Sequence, residues 1–407
     1  MSPTGNLLID GAAGFTLRQA YDRAANNHHP GGSRVLDSDD PVTSDLLGGL
    51  LELLAEGGGW LHPGARLVAR DGHLSVHASA EPGVLLLRIP AELLVRVGRV
   101  DWSTTNGVLA PAAISPEIDG LELETLFVLT GLLNQSGKIP NLLGTHPLLA
   151  DDLPPRLVEA VSSLRPSFGS ARPDPISLLW STRCFRKSFD GAAPEPVAVP
   201  ILEFLNHHSR GANAEPTNGG FAVQAQVFHD DECFLDYGRD RDAISMAILY
   251  GFADKSAQCA HSAPLQIDVP GVGEVVVSAH GRNENGELVP MIVNGDRAKI
   301  FINRMTFGDS FAPVTELVVA GGMDVAVSQR IVDGIREANI ALLEAVSTSA
   351  SDTPAAVTLR EAADIQRLVV VNSPIDGDFT ARSAQSTTAK QISEDYFDLG
   401  QWRVSGG

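Results

Sequence analysis

Residues 197–252 of the chain read VAVPILEFLNHHSRGANAEPTNGGFAVQAQVFHDDECFLDYGRDRDAISMAILYGF. The segment opens with an apolar run, Val197–Leu205, which ends in the polar triplet Asn206-His207-His208. Two runs that alternate apolar and polar residues follow, Phe221–Phe228 and Glu232–Tyr237. Because a period of two places the apolar side chains on one face, both runs predict strands. The segment therefore predicts a strand-rich region.

A helix is predicted next, over Asp240–Leu249, and it leads directly into the triplet Tyr250-Gly251-Phe252. Tyr250 lies thirteen residues after Tyr237, which is itself followed by a glycine. The chain has only four tyrosines, so this spacing involves half of them. The segment thus contains, in order, an Asn-His pair, a Tyr-Gly pair and a Tyr-Gly-Phe triplet.

This ordered set resembles the SET-domain protein methyltransferases, in particular the branch of the Rubisco large-subunit lysine methyltransferase and the actin-histidine methyltransferase. The resemblance implies that S-adenosylmethionine is the cofactor and that its methyl group passes to a nitrogen. It implies that Asn206 and His207 hold the cofactor, that the Tyr237 hydroxyl orients the nucleophile, and that Tyr250 lines the same channel. From the residues alone, structural alternatives stay open: Asn206 as the cap of an apolar strand, and each tyrosine as a packed, hydrogen-bonded side chain.

Arg183 is a further candidate. In the resembling enzymes a Trp-containing helix ends in Arg-x-Phe, and here the apolar segment Ile176–Phe185 ends in Arg183-Cys184-Phe185. The resemblance implies that Arg183 supports the cofactor pocket. The alternative is a cation at a helix C-terminus, where the helix dipole favours positive charge.

One expected motif is incomplete. The branch carries Gly-x-Gly shortly before a segment of the pattern Gly-x-x-x-x-x-Ile-Pro, which is Gly83–Pro90 here. Counting back places the motif at Gly72-His73-Leu74, so that leucine stands where the second glycine belongs. Glycine lets the backbone lie against a ligand because a side chain would occupy the ligand's space. Gly72 is therefore a predicted cofactor-binding residue, whereas Leu74 indicates a rearranged or lost cofactor site.

Histidines and carboxylates near the same segment raise a second chemistry, a metal site. Imidazole and carboxylate groups are ligands for zinc or iron, and His207, His208 and the triplet His229-Asp230-Asp231 supply them. Neighbouring histidines on a strand point to opposite faces, however, and the pair His28-His29 has no third ligand nearby in the sequence. The three cysteines are isolated, which excludes a disulfide framework and a cysteine-rich zinc cluster. We therefore expect no metal.

The overall charge bears on the partners. The chain of 407 residues carries a net charge of −20 and has no basic run. Nucleic-acid binding needs clustered Lys and Arg, so we expect no nucleic-acid partner. The sequence also lacks an apolar run of roughly 18 residues and a signal peptide, so we expect no membrane partner and a cytoplasmic location. The expected partner is a protein or small-amine substrate.

The expected fold class is α+β. An N-terminal extension over residues 1–44 is predicted first, followed by a β-rich SET domain over 45–252 with a helical insert near 95–195. A C-terminal α+β domain is predicted over 253–372, and the corresponding domain binds substrate in the resembling enzymes. The remaining residues, 373–407, are predicted to form a polar tail.

Three helices are predicted outside the insert. Leucines on a helical period predict one over Ser44–Ala55, and a longer amphipathic helix is predicted over Asp324–Val346. The sequence Thr358-Leu359-Arg360-Glu361 fits a capping box, which predicts a helix that begins there and ends at Val371.

Two functions from different classes fit these residues. The first is an S-adenosylmethionine-dependent N-methyltransferase that acts on a lysine or histidine side chain or on a small amine. The second is a SET-fold binding protein that has lost catalysis. The intact Asn-His pair and the two tyrosines favour the first, and Leu74 favours the second.

Overall fold

The structure is a computed structural model and describes residues 35–78, 81, 83–189, 191–224, 232–238, 241–278, 292–294, 297–302, 305–308 and 312–373. The histidine pair His28-His29, the triplet His229-Asp230-Asp231 and the tail from residue 374 onward lie outside the described residues. Helices and several sheets occur together, which confirms the α+β class.

The strands are short and mostly antiparallel. They are β1 (Leu36–Ser38), β2 (Trp60–Leu61), β3 (Ala65–Arg70), β4 (His73–Ala78), β5 (Leu85–Pro90), β6 (Val95–Arg96), β7 (Val100–Thr105), β8 (Val108–Ile114), β9 (Cys184–Lys187), β10 (Glu195–Ala198), β11 (Asn206–Thr217), β12 (Gly220–Gln224), β13 (Glu232–Leu235), β14 (Ala260–His261), β15 (Leu265–Val269), β16 (Gly273–Val277), β17 (Ile292–Asn294), β18 (Arg297–Ile302) and β19 (Thr306–Phe307).

The α-helices separate the strand-rich regions. They are α1 (Pro41–Glu56), α2 (Gly120–Gln135), α3 (Lys138–Thr145), α4 (Pro155–Leu164), α5 (Pro175–Ser181), α6 (Ala243–Tyr250), α7 (Ala312–Ala320), α8 (Val325–Ser347) and α9 (Pro354–Asn372). Within the described ranges, every helix is too short or too polar to span a lipid bilayer.

The chain divides into two compact units. The first comprises Met1–Leu143 and Leu178–Tyr237, and the second comprises Gly144–Ser177 and Gly238–Gly407. The first unit contains an eight-stranded sheet in the order β1-β3-β4-β13-β11-β12-β5-β2. Along β3 and β4 buried residues alternate with more exposed ones, as a half-buried strand requires. The buried side chains of these strands and of α1 form one hydrophobic core.

Two strands at the centre of this sheet place the candidate residues. β11 and β13 pair in parallel, and Asn206 lies opposite Phe234 while His207 lies opposite Leu235. The register then shifts, so that Ala212 is also paired with Leu235. The start of β11 and the end of β13 therefore lie side by side.

The second unit has its own hydrophobic core. Its larger sheet has the order β15-β16-β18-β17, and α8 packs on α9, on α4 and on β15. At the start of α6 the buried carboxylate of Asp242 caps the helix and pairs with Arg165. Burial alone would raise the pKa of Asp242, but the charge of Arg165 and then the electrostatic effect of His261 lower it to about 2.

Several predicted elements are confirmed. The helix predicted over Ser44–Ala55 lies within α1, and the helix predicted over Asp324–Val346 corresponds to α8. The capping box is wrong: the last helix begins at Pro354, and the side chain of Thr353 accepts the cap hydrogen bond from the Ala356 amide. The preceding residues already fit a helix start, because proline is favoured at the first helical position.

The helical insert predicted near residues 95–195 does not begin with a helix. It opens with the hairpin of β7 and β8, whose turn residues Asn106 and Gly107 have φ values of 52° and 77°. Asn-Gly is the favoured pair for a two-residue turn with positive φ at both positions. The sequence therefore signals a hairpin at the start of the region for which a helical insert was predicted.

The apolar run Val197–Leu205 is not one strand. β10 ends at Ala198, Ile201 has a φ of 69°, and a 3₁₀ turn follows over Leu202–Phe204. Asn206 therefore opens β11 instead of capping the end of a strand. The proline at position 200 lacks the amide hydrogen that a continuing strand needs.

A buried histidine in the second unit fixes the end of α6, the helix that carries Tyr250. Nδ1 of His146 accepts a hydrogen bond from the Leu148 amide at 3.2 Å, so Nε2 carries the proton and donates to the Leu249 carbonyl at 3.2 Å. Gly251 ends the helix with a φ of 77°, and a Cβ there would lie 2.8 Å from the His146 ring. Burial lowers the pKa of His146 from its ordinary value of 6.5 to about 4.

This pKa makes the stability of the protein depend on pH. Because the folded-state pKa is the lower one, the contribution of His146 is fully present above pH 6.5 and is lost as the pH falls towards 4. In this window we expect the free energy of unfolding to fall by roughly 3 kcal/mol more in the wild type than in His146→Gln. Urea unfolding at a series of pH values measures it. His73→Gln, at an exposed position, should keep the wild-type slope, and an unchanged slope in His146→Gln would contradict the assignment.

Candidate functional site

Asn206, His207 and Tyr237 come together in the first unit. The Tyr237 amide donates to Nδ1 of His207 at 3.1 Å, and the two rings lie 5.2 Å apart at 42°. The Asn206 side chain donates to the Glu232 carboxylate at 2.6 Å. The parallel pairing of β11 and β13 causes this meeting, because it aligns the residues at the start of one strand with those at the end of the other.

The Tyr237 hydroxyl is held in one orientation. It donates to the backbone carbonyl of Leu205 at 2.7 Å. A phenol that donates its only proton in this way presents its oxygen as an acceptor. Such an oxygen suits a site in which an amine N–H must be aligned.

The turn that precedes Asn206 is strained. Ile201 is fully buried and has a φ of 69°, a region that β-branched residues rarely adopt. A conformation of this kind costs about 1–3 kcal/mol and persists only where the surroundings enforce it. Such strain is concentrated at functional sites, so the turn from Ile201 to Leu205 is a candidate on its own geometry.

The same turn carries a buried charge cluster. The Glu203 side chain is 2% exposed and pairs with Arg183 at 3.3 Å. The Lys138 amine donates to the Glu203 carbonyl oxygen and lies 5.7 Å from the centre of the Phe204 ring. Nε of Arg183 is buried and has no hydrogen-bond partner among the described residues.

Burial shifts the pKa values of several groups in and beside this cluster. It raises the pKa of Glu203, although the nearby Arg183 and Lys138 cations oppose this. Burial, with help from Arg183, lowers the pKa of Lys138 to about 7, against the effect of Glu203. Burial also raises the pKa of the Cys184 thiol well above its usual value, so this thiol stays neutral. Shifts of this kind in one small region are typical of functional sites.

Gly72 lies in a hairpin turn of the first unit. It has a φ of 74° and joins β3 to β4, and its carbonyl accepts from the Gly137 amide at 3.0 Å. Leu74, two residues later, is 4% exposed and belongs to the core of this unit. The turn requires the glycine at position 72, and the leucine has a packing role of its own.

Tyr250 lies in the second unit. The guanidinium carbon of Arg241 is 5.1 Å from the centre of the Tyr250 ring, and the same guanidinium donates to the Tyr250 hydroxyl. The Phe252 ring is also near, with its centre 6.2 Å from that of the Tyr250 ring. The predicted roles of the six candidate residues stay predictions.

The sequence did not identify Lys138 as a site residue, nor did it show that Glu203 is buried beside Arg183. One signal was available: Glu203 interrupts an apolar run, and a buried carboxylate needs a charged partner. Lys138 had no comparable signal, because it lies 65 residues before Glu203 and meets it only in the fold.

In the described part of the chain, no three His, Cys, Asp or Glu side chains are grouped so that they could hold a metal ion. The expectation of a metal-free protein stays a prediction.

Comparison with known proteins gives a weak likeness. No family model matches the chain, and no curated protein matches it. The SET domain of LSMT bound to lysine and AdoHcy is 12% identical, with a TM-score of 0.35 over 82% of this chain and 90% of that one. Rubisco LSMT bound to AdoMet is 13% identical, with a TM-score of 0.37 over 81% of this chain and 91% of that one. Because both TM-scores are low, the case for a function rests on the residues described above.

Gly72 can be tested as a turn residue against a matched glycine. Gly72 and Gly83 both have left-handed φ values, 74° and 83°. A Cβ at Gly72 would lie 3.3 Å from the Gly137 nitrogen, whereas a Cβ at Gly83 would meet nothing within 4 Å. We expect Gly72→Ala to lower the free energy of unfolding by about 1–3 kcal/mol, and more than Gly83→Ala does. Equal losses in urea unfolding would show that the contact with Gly137 has no influence.

Proposed function

We propose that this chain is a SET-domain enzyme that transfers the methyl group of S-adenosylmethionine to an amine or imidazole nitrogen. The observation that carries the proposal is the meeting of Asn206, His207 and Tyr237 at the adjoining ends of β11 and β13. These are the residues that the ordered sequence motif singled out. Their proximity supports one site, since 30 residues separate His207 from Tyr237 in the chain.

The residues present fit the cofactor at one point in particular. Nε of Arg183 is a buried donor without a partner among the described residues. S-adenosylmethionine carries a carboxylate, and a guanidinium N–H is a strong donor to such a group. In this proposal Arg183, Asn206 and His207 hold the cofactor, with Gly72 contributing backbone. When bound, the cofactor supplies a methyl group on a positively charged sulfur.

Tyr237 has the most direct role in the proposed reaction. An attacking nitrogen must be neutral and aligned with the methyl group, and alignment accounts for much of the acceleration. The fixed phenolic oxygen of Tyr237 accepts an N–H of the substrate and so orients its lone pair. The resemblance assigns Tyr250 to the same channel, and this assignment is part of the proposal.

The substrate proposed is a lysine or histidine side chain of a protein, or a small amine. The net charge of −20 is compatible with a cationic substrate. The SET domain over 45–252, the C-terminal substrate-binding domain over 253–372 and the cytoplasmic location are parts of the same proposal.

The second candidate is a SET-fold protein that binds without catalysis. Leu74 favours it, because leucine stands where the resembling enzymes carry the second glycine of their cofactor motif. The two candidates differ in whether S-adenosylmethionine binds and whether a methyl group is transferred.

Tyr237→Phe tests the catalytic role. We expect cofactor affinity to stay within a few-fold of the wild type and turnover to fall about a hundredfold, since loss of one positioned group costs on the order of 3 kcal/mol in the barrier. Calorimetry measures affinity, and transfer of labelled methyl groups to proteins of a cell extract measures turnover. Undiminished turnover would remove Tyr237 from the mechanism.

Asn206→Ala tests cofactor binding in the same assays. We expect weaker binding, because the cofactor would lose its hydrogen bonds to the Asn206 side-chain amide. Glu232→Ala is the matched control, since it removes the same Asn206–Glu232 hydrogen bond but leaves the amide in place. If the wild type shows no binding of S-adenosylmethionine at all, the enzyme proposal is wrong and the binding-protein candidate stands.

A further inference from the structure

The turn from Ile201 to Leu205 offers two of its carbonyl groups to side chains from distant parts of the first unit. The Glu203 carbonyl accepts from the Lys138 amine, and the Leu205 carbonyl accepts from the Tyr237 hydroxyl at 2.7 Å. Two residues of chain span at most roughly 7 Å. The amine of Lys138 and the hydroxyl proposed to orient the nucleophile are therefore held by neighbouring positions of one turn.

The environment of this amine lowers its pKa, so that about half of it is neutral near pH 7. Lys138 is half-buried, and its amine is held by the hydrogen bond to the Glu203 carbonyl. The charged groups that face it are Arg183, which repels a second cation, and Glu203, which attracts one. The Phe204 ring also favours the cation. Burial and Arg183 have a larger effect on the amine than Glu203 and Phe204, so the pKa of Lys138 falls to about 7.

A neutral Lys138 amine can act as a nucleophile while its hydrogen bond to the Glu203 carbonyl stays in place. It donates one N–H to the Glu203 carbonyl and keeps the lone pair on Nζ. An ammonium group has no lone pair and cannot attack. Lysines become nucleophilic in proteins when they are desolvated or lie next to another cation, and Lys138 meets both conditions.

We propose that Lys138 is itself a methyl acceptor, modified within its own chain; this inference rests on the proposed function. The Nζ lone pair forms the new N–C bond with the methyl group of S-adenosylmethionine. The S–C bond breaks and its electron pair stays on sulfur, which leaves the neutral thioether S-adenosylhomocysteine. The methylated nitrogen then releases one proton to solvent and keeps an N–H for the Glu203 carbonyl.

The first experiment measures the reactivity of Lys138 without any cofactor. The full chain is treated with trace acetic anhydride over a range of pH values, and acetylation of each lysine is resolved by peptide mass spectrometry. We expect the labelling of Lys138 to rise about tenfold per pH unit and to level off near pH 7. A midpoint near the ordinary lysine value of about 10.4 would overturn the inference whatever the function. Lys255, an exposed lysine, is the internal reference.

The second experiment looks for the modification itself. The full chain is incubated with S-adenosylmethionine that carries an isotopically labelled methyl group, and no other substrate is added. We expect a labelled methyl group on the peptide that contains Lys138, at a rate per molecule that does not change on dilution. Lys138→Arg should lose this label. Lys187→Arg should keep it, since Lys187 also donates to a backbone carbonyl, that of Thr217, but lies outside the turn from Ile201 to Leu205.

The outcomes distinguish failure of the inference from failure of the proposed function. If calorimetry shows that the wild type does not bind S-adenosylmethionine, both are wrong. If the chain binds it and methylates proteins of a cell extract but Lys138 stays unlabelled, only the inference is wrong. Labelling that rises with protein concentration would show transfer between molecules and contradict modification within one chain. Far-UV circular dichroism checks the folding of Lys138→Arg, and Lys138→Gln replaces it if it fails to fold.

Discussion

The buried carboxylate of Glu203 is the constraint on which the rest of the candidate site depends. Its side chain is 2% exposed, and its charge is compensated by Arg183 at 3.3 Å. Leaving a buried charge without its partner costs about 3–5 kcal/mol. The cluster therefore holds β9, which follows Arg183, and the start of α3 against the turn that contains Glu203. The strain at Ile201 persists because these contacts enforce the turn.

This turn also sets where the motif residues lie. It ends at Leu205, whose carbonyl fixes the Tyr237 hydroxyl, and it leads into Asn206 and His207 at the start of β11. A change in the turn would therefore move the Asn-His pair and the tyrosine together. One local structure thus links the charge cluster, the predicted cofactor residues and the predicted catalytic hydroxyl, which is why perturbed pKa values and a proposed site occur in the same place.

The sequence predicts those parts of the molecule that local patterns determine. Alternation gives β12 and β13, and helical periodicity gives α1 and α8. The hairpin of β7 and β8 was missed although Asn106-Gly107 signals it. The Asn-His and Tyr-Gly motifs identified a pair that the fold does bring together. Lys138 could not be found, because its chemistry arises from burial beside Arg183, and burial of this kind depends on contacts distant in the chain.

Hydrogen–deuterium exchange with and without S-adenosylmethionine tests the central claim most directly, because it reads the site from the backbone amides and needs no substrate. A ligand that binds the folded state protects the amides it contacts and those of the elements it stabilises. The account predicts slower exchange in residues 183–187, 201–207 and 232–237, and unchanged exchange in the hairpin of β15 and β16. Unchanged exchange at 201–207, or protection confined to other segments, would contradict it.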